Sequence, residues 1–259
     1  MIVALQGGLG NQLFQYAFGR AVSIGRQEEL FFHKVNLSPT SHRDYILDKF
    51  NTKVQLVNQP SGPYYRETAF RYDPGVYEAP MGSYFQGFWQ TAKYFSNIGS
   101  VIREELQPKE PINNPAVIQL SDEIKSIKDS VFIHVRRGDY LREPHLSYHG
   151  LMTKDYYDRA SAIMLNAYQY VRYFVFSDDP EWCKQAFPYC TVASGTNQFE
   201  DLYLMSQCRH AILANSSFGW WGAWLNDCQP DRTVIAPRQW FQDANTSYED
   251  IVPERWLKI

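Results

Sequence analysis

Apolar residues follow two rhythms along the chain, short continuous runs and longer stretches at helical spacing, and the alternation is played through twice. The first run, Ile2 to Gln6, breaks at Gly7-Gly8-Leu9-Gly10. Phe14, Ala17, Phe18, Ala21 and Val22 then recur three and four apart, which predicts a helix that Asn11 can cap and Gly25 can end. Leu30 to His33 and Val54 to Val57 predict strands. Residues 59–80, crowded with Pro, Gly and Tyr, predict irregular loop, and Ser83 to Phe88 resumes as strand. A helix is predicted over 90–106, with Ala92, Phe95, Ile98, Val101, Ile102 and Leu106 on one face.

Gln107 to Pro115 carries three prolines and no periodicity, the composition of a linker. The alternation then restarts. It predicts a helix over 118–127, a strand from Val131 to Val135, and a helix from the cap Thr153 to Tyr170. A strand over 173–177 leads to a helix opened by Asp179 with Pro180 at its first position. Asn197 and Glu200 have capping-box spacing for a helix to Cys208. Strand Ala211 to Ala214, an aromatic helix to Leu225 and strand Thr233 to Ala236 complete the pattern. Strands alternating with helices on both sides of a linker predict an α/β protein. Its two Rossmann-like halves, residues 1–107 and 116–259, would face a cleft.

Composition narrows the picture only at the edges. With 259 residues, both halves can bury a core, and a net charge of −3 argues against a nucleic-acid or anionic-membrane surface built on bulk charge. The 18 Tyr, 16 Phe and 7 Trp supply core as readily as a carbohydrate platform. Cys183, Cys190, Cys208 and Cys228 lack zinc-like spacing and read as reduced thiols. The opening run Ile2 to Leu5 is too short and uncharged for a signal peptide and no apolar run reaches membrane-spanning length, so the expected setting is cytoplasmic, at most peripheral to the inner membrane. The sequons at Asn36 and Asn245 then have no consequence.

Four segments follow predicted strands, where open α/β sheets bind their ligands. Gly7-Gly8-Leu9-Gly10-Asn11-Gln12 lacks the third glycine of a dinucleotide fingerprint and the Lys-Ser/Thr of a phosphate loop; it is a close-approach turn or merely a tight strand-to-helix one. His134-Val-Arg136-Arg137-Gly-Asp139 places His134 and Arg136 on one face of a strand, with Arg137 turned away as a buttress. Arg136 is suited to a diphosphate, although surface ion pairs would also explain the arginines. Asp178 could accept from a ribose or nucleobase, whereas capping explains Asp179. Asn215-Ser216-Ser217-Phe218 offers hydroxyls and amides at a helix start, and Trp220, Trp221 and Trp224 read as core. No D-x-D triplet occurs, so Arg136 and a helix terminus would do the work of a metal on a leaving diphosphate.

Gly7-Gly-Leu-Gly-Asn-Gln-Leu-Phe-Gln-Tyr16, Gly87-Phe-Trp-Gln-Thr-Ala-Lys-Tyr-Phe95, His134 to Tyr140 and Asn215 to Gly222 together resemble the ordered motifs of bacterial α-1,2-fucosyltransferases of glycosyltransferase family 11. The resemblance implies a GT-B-like fold and inverting transfer of L-fucose from GDP-β-L-fucose to the 2-hydroxyl of a galactose-containing oligosaccharide, with no cofactor or essential metal. It implies an acceptor side in 1–107 and a donor site in 116–259. Arg136 would hold the β-phosphate, His134 and Asp178 would lie toward the nucleoside, and Ser216, Ser217 and the Phe218 amide would surround the phosphates. Asn11 and Gln12 would line the cleft. Asp139 is the candidate base, with Glu143 or no side chain as alternatives, and acceptor contacts are expected from 59–80 and 142–151. Rival readings are a transferase for another sugar nucleotide or acceptor, and a non-catalytic glycan- or nucleotide-binding module.

Overall fold

A computed structural model describes residues 1–37, 44–227 and 229–259; Cys228 and Ser38, the last residue of the first sequon, lie outside them. The chain divides into two compact units. One comprises Met1–Pro111 with Thr246–Pro253, the other Ile112–Asn245 with Glu254–Ile259.

The first unit is built on β1 (Ile2–Leu5), α1 (Leu9–Arg26), β2 (Phe31–Lys34), β3 (Leu56–Val57), β4 (Tyr64–Arg66), β5 (Tyr84–Gln86) and α2 (Gly99–Glu105). Its five strands pair in parallel in the order β3-β2-β1-β5-β4. All four β1 residues are buried, and α1 covers the sheet with Leu13, Phe14, Ala17 and Phe18, none of them exposed. Leu13, Phe14 and Phe18 each contribute about 1.5–3 kcal/mol by leaving water.

Three expectations change here. The first helix is capped by Gly8, whose carbonyl accepts the amides of Asn11 and Gln12, and it ends at Gln27 in the left-handed region (φ 53°) rather than at Gly25. Strand β4 lies inside the stretch expected to be irregular; pairing with β5 creates it, which no local periodicity reveals. The helix expected over 90–106 is two 3₁₀ turns, 92–94 and 96–98, before α2. Ala92, Phe95 and Ile98 are three apart, a spacing that fits three residues per turn as well as 3.6.

The second unit carries α3 (Pro115–Ser126), β6 (Asp129–Val135), α4 (His145–His149), α5 (Lys154–Ala167), β7 (Val171–Ser177), α6 (Pro180–Ala186), β8 (Thr191–Val192), α7 (Gln198–Gln207), β9 (His210–Ile212), α8 (Ser217–Leu225), β10 (Val234–Ala236) and β11 (Leu257–Lys258). Its parallel sheet runs β11-β10-β9-β6-β7-β8, with β6 central. Thr153, Asp179 and the Asn197/Glu200 box cap their helices as their spacing predicts. Val131, Ile133 and Val135 of β6 pack with Tyr157, Ala160 and Met164 of α5. Trp220, Trp221 and Trp224 are buried, with Trp256 against Trp220, so these tryptophans are core. Cys183, Cys190 and Cys208 are free thiols.

Thr246–Pro253 belongs to the first unit, whereas a boundary drawn at the proline-rich linker assigns it to the second. Asp250 helps to tie the segment there. Its carboxylate accepts the Tyr72 amide at 2.7 Å and pairs with Lys93 at 2.6 Å.

Candidate active site

At the carboxyl edge of the second sheet, β6 delivers Arg136 and Arg137 to different neighbours. Arg136 donates to Asp139 Oδ1 at 2.5 Å through Nη2 and pairs with Asp178 Oδ2 at 3.0 Å through Nη1. Its guanidinium also lies 5.4 Å from the Tyr140 ring centroid. Arg137 stacks over Trp182 at 4.1 Å and pairs with Asp179 Oδ2 at 3.0 Å. Asp178 ties the two together, because its other oxygen accepts the Arg137 backbone N–H at 2.9 Å. Strand pairing explains the meeting, since Val135 lies beside Ser177 and both strands end there. Gly138 is needed at this point, because a Cβ on it would come within 2.5 Å of Asp178 Oδ2.

His134 is buried beneath this edge, and desolvation, reinforced by the Arg136 charge, lowers its pKa to about 3. It is therefore a neutral imidazole, and among the described residues its Nδ1 has no hydrogen-bond partner. The ring lies directly against Gly219 of α8, where a Cβ would come 2.7 Å from its Cγ and Nδ1. Ser216 caps α8 by accepting the Phe218 N–H at 3.3 Å, so that amide is already engaged by the hydroxyl oxygen. Ser217, one position on, is partly exposed at the positive end of the helix dipole. Glu143, the alternative base, accepts from Ser147 Oγ at 2.6 Å at the surface.

Asn215, one residue before the serines, carries more of this architecture than its sequence position suggests. It is buried, and its Nδ2 donates to the carbonyls of His149 at 2.8 Å and Trp240 at 3.1 Å. Its own carbonyl accepts from Tyr140 Oη at 3.3 Å, and His149 stacks on Tyr140 at 4.3 Å. The β6–α5 connection, through Tyr140 and His149, and the segment at Trp240 are thereby tied to one asparagine.

Asn11 and Gln12 sit at the corresponding edge of the first sheet. Asn11 Oδ1 accepts from Gln90 Nε2 at 2.8 Å. Gln12 is fully buried and does not line an open surface: its Nε2 donates to the carbonyls of Gly7 and Asp44, and its Oε1 accepts the Ile46 N–H. It braces the glycine turn from within. Gln15 joins β1 to the loop after β5, accepting the Gln6 N–H at 2.9 Å and donating to the Gly87 carbonyl at 3.0 Å.

Glu67, directly after β4, was given no role by sequence. Its two oxygens accept the N–H groups of Phe88 at 2.6 Å and Trp89 at 2.9 Å. Burial raises its pKa to about 7 against the opposing pull of those two bonds. Among the described residues no trio of His, Cys, Asp or Glu is placed to hold a metal.

Two parallel-sheet α/β units of this order define a GT-B-like fold, and the chain is a glycosyltransferase. It belongs to glycosyl transferase family 11, whose model matches residues 1–259. It is 35% identical to an alpha-1,2-colitosyltransferase of Escherichia coli, over 100% of this chain and 98% of that one. It is 24% identical to galactoside 2-alpha-L-fucosyltransferase Sec1 of Mus musculus, over 86% of this chain and 63% of that one. The fucosyltransferase NodZ from Bradyrhizobium shares the fold with a TM-score of 0.52 at 14% identity, over 85% of this chain and 90% of that one. No helix among the described residues is long and apolar enough to cross a membrane.

Proposed function

We propose that the protein transfers L-fucose from GDP-β-L-fucose to the 2-hydroxyl of a terminal galactoside, with inversion and without an essential metal. The observation that carries this reading is Arg136, a guanidinium fixed at the carboxyl end of the central strand β6 by Asp139 and Asp178. A planar fork so held is preorganised for the charge that grows on a departing diphosphate. The colitosyl and galactoside fucosyl relatives support α-1,2 transfer of a deoxy sugar to a glycan.

Two arginines meet three aspartates in the cluster, so a diphosphate has to replace a carboxylate on Arg136. Asp139 is the carboxylate assigned to leave, and Asp178, which also accepts the Arg137 N–H, is assigned to stay. Once released, Asp139 can accept the acceptor hydroxyl's proton, the role of general base. Ser217 at the α8 N-terminus stabilises the same diphosphate from the helix side. Neutral His134 contributes no charge and shapes the floor near the nucleoside. Asn11 is assigned to the sugar side, while Gln12 acts only by bracing its loop.

The test is GDP release from GDP-fucose with lactose or a lacto-N-biose glycan in the presence of EDTA. Acceptor-dependent GDP in EDTA is the expected result. Its absence would reject these substrates, and a strict divalent requirement would reject the metal-free mechanism. A GDP-colitose arm addresses the second donor that the 35% identity favours.

A further inference from the structure

The turn Gly87–Gln90 is held in a conformation its residues would not choose. Trp89 has φ 57°, a left-handed backbone that is rare and unfavourable for a bulky side chain. Its ring is stacked on Phe18 at 4.1 Å and 6°, and its N–H is held by Glu67. Gly87 has no room for a side chain, since a Cβ would lie 2.5 Å from Glu67 Cβ and 2.8 Å from Glu67 Oε2. On the far side, Gln15 holds the Gly87 carbonyl and Asn11 holds Gln90. Strain that its surroundings over-determine in this way is characteristic of functional sites.

We infer that Glu67 is a positioning residue that latches the Gly87–Gln90 turn to form the subsite for an uncharged hexopyranoside acceptor. The inference rests on the proposed transfer reaction. The latched turn presents Phe88, partly exposed and parallel to Phe70 at a centroid separation of 6.1 Å and 16°, whose apolar face suits the C–H face of a pyranose. It also sets Gln90 against Asn11 of α1, which fixes the end of the turn. Glu67 acts through two backbone amides of the turn and is not assigned any contact with the acceptor.

Glu67→Gln leaves one acceptor oxygen where two N–H groups need one each. It is expected to raise the acceptor KM about tenfold, the range for losing oriented binding, while the GDP-fucose Kd from calorimetry stays within about twofold of wild type. Phe88→Ala removes a partly exposed ring without touching the latch and is expected to shift the acceptor KM in the same direction. A folded Glu67→Gln enzyme with unchanged acceptor KM, or with donor binding weakened as much as acceptor binding, overturns the inference. If Glu67→Gln does not fold, an unchanged acceptor KM in Phe88→Ala overturns it alone. Wild-type enzyme that turns over GDP-fucose on no galactoside rejects the proposed function and this inference together; active wild type with unmoved variants rejects only the inference.

Discussion

The two sheets end in opposite kinds of chemistry. At the edge of the second sheet, charged side chains project beyond β6 and β7, with Arg136, Asp139 and Asp178 retaining 26–30% side-chain exposure. At the edge of the first, Gln12, Gln15 and Glu67 turn inward and bond to backbone, and aromatic rings fill the space around them. One edge keeps ion pairs that a ligand can rearrange at small cost. The other fixes its loops with buried hydrogen bonds whose loss is expensive. Removing one of the partly exposed ion-pairing side chains should therefore alter chemistry with little effect on stability, and removing one of the buried hydrogen-bonding side chains should cost stability.

The sharpest way to break that contrast is Arg136→Ala. Turnover should fall by about 10²–10³ or more, whereas stability changes by only about 0–1 kcal/mol because its pairs are partly exposed; steady-state kinetics beside a melting curve read both. A large fall in melting temperature would show that this edge is structural after all. The next test is a matched pair of glycines. Gly219→Ala drives a methyl into the His134 ring and Gly87→Ala drives one into Glu67. Each should cost about 1–3 kcal/mol. In calorimetry and acceptor titration, the first should weaken GDP binding and the second acceptor binding; the same kinetic signature from both would erase the distinction between the edges.

Gln12→Ala sharpens the contrast at lower amplitude. It leaves the Gly7 and Asp44 carbonyls and the Ile46 amide without partners, a loss of about 1–3 kcal/mol in denaturant titration, with kcat preserved below the melting transition. The last effect concerns pH. Burial, with His145 and Arg136 adding to it, lowers the His149 pKa from 6.5 to about 4. Between those values the unfolded chain takes up a proton that the folded one refuses, so stability falls as pH drops from about 6.5 toward 4. His149→Phe keeps the stacking ring on Tyr140 and removes the proton site, so its melting temperature should fall less steeply across that window. An unchanged slope would place the acid sensitivity elsewhere, His134 first.

How far the sequence could reveal this follows from how local each cause is. The Arg136/Arg137 segment and the caps at Thr153, Asp179 and Asn197 depend on strand alternation or on neighbours within a few residues, and both can be read directly. Gln12 looked like a ligand because it follows a glycine turn, yet its partners at Asp44 and Ile46 are brought in by tertiary packing. Glu67 stood in a stretch without periodicity, and the amides it holds lie about twenty residues on. The signal that could have found it is topological: once β4 is placed beside β5, the residue after one strand must face the loop after the other. Asn215 was hidden differently, by two serines whose hydroxyls suggested ligand binding more strongly.

The return of Thr246–Pro253 to the first unit, followed by Glu254–Ile259 in the second, has a practical consequence. The chain passes from one unit to the other at three points, after Pro111, Asn245 and Pro253. A chimera that exchanges one unit between family members needs all three junctions. Cut only at the proline-rich linker, the first half would lose Asp250 and its hold on Tyr72 and Lys93. Exchange of a unit in this chain is thus a three-point graft, with the last fourteen residues divided between the donors of the two halves.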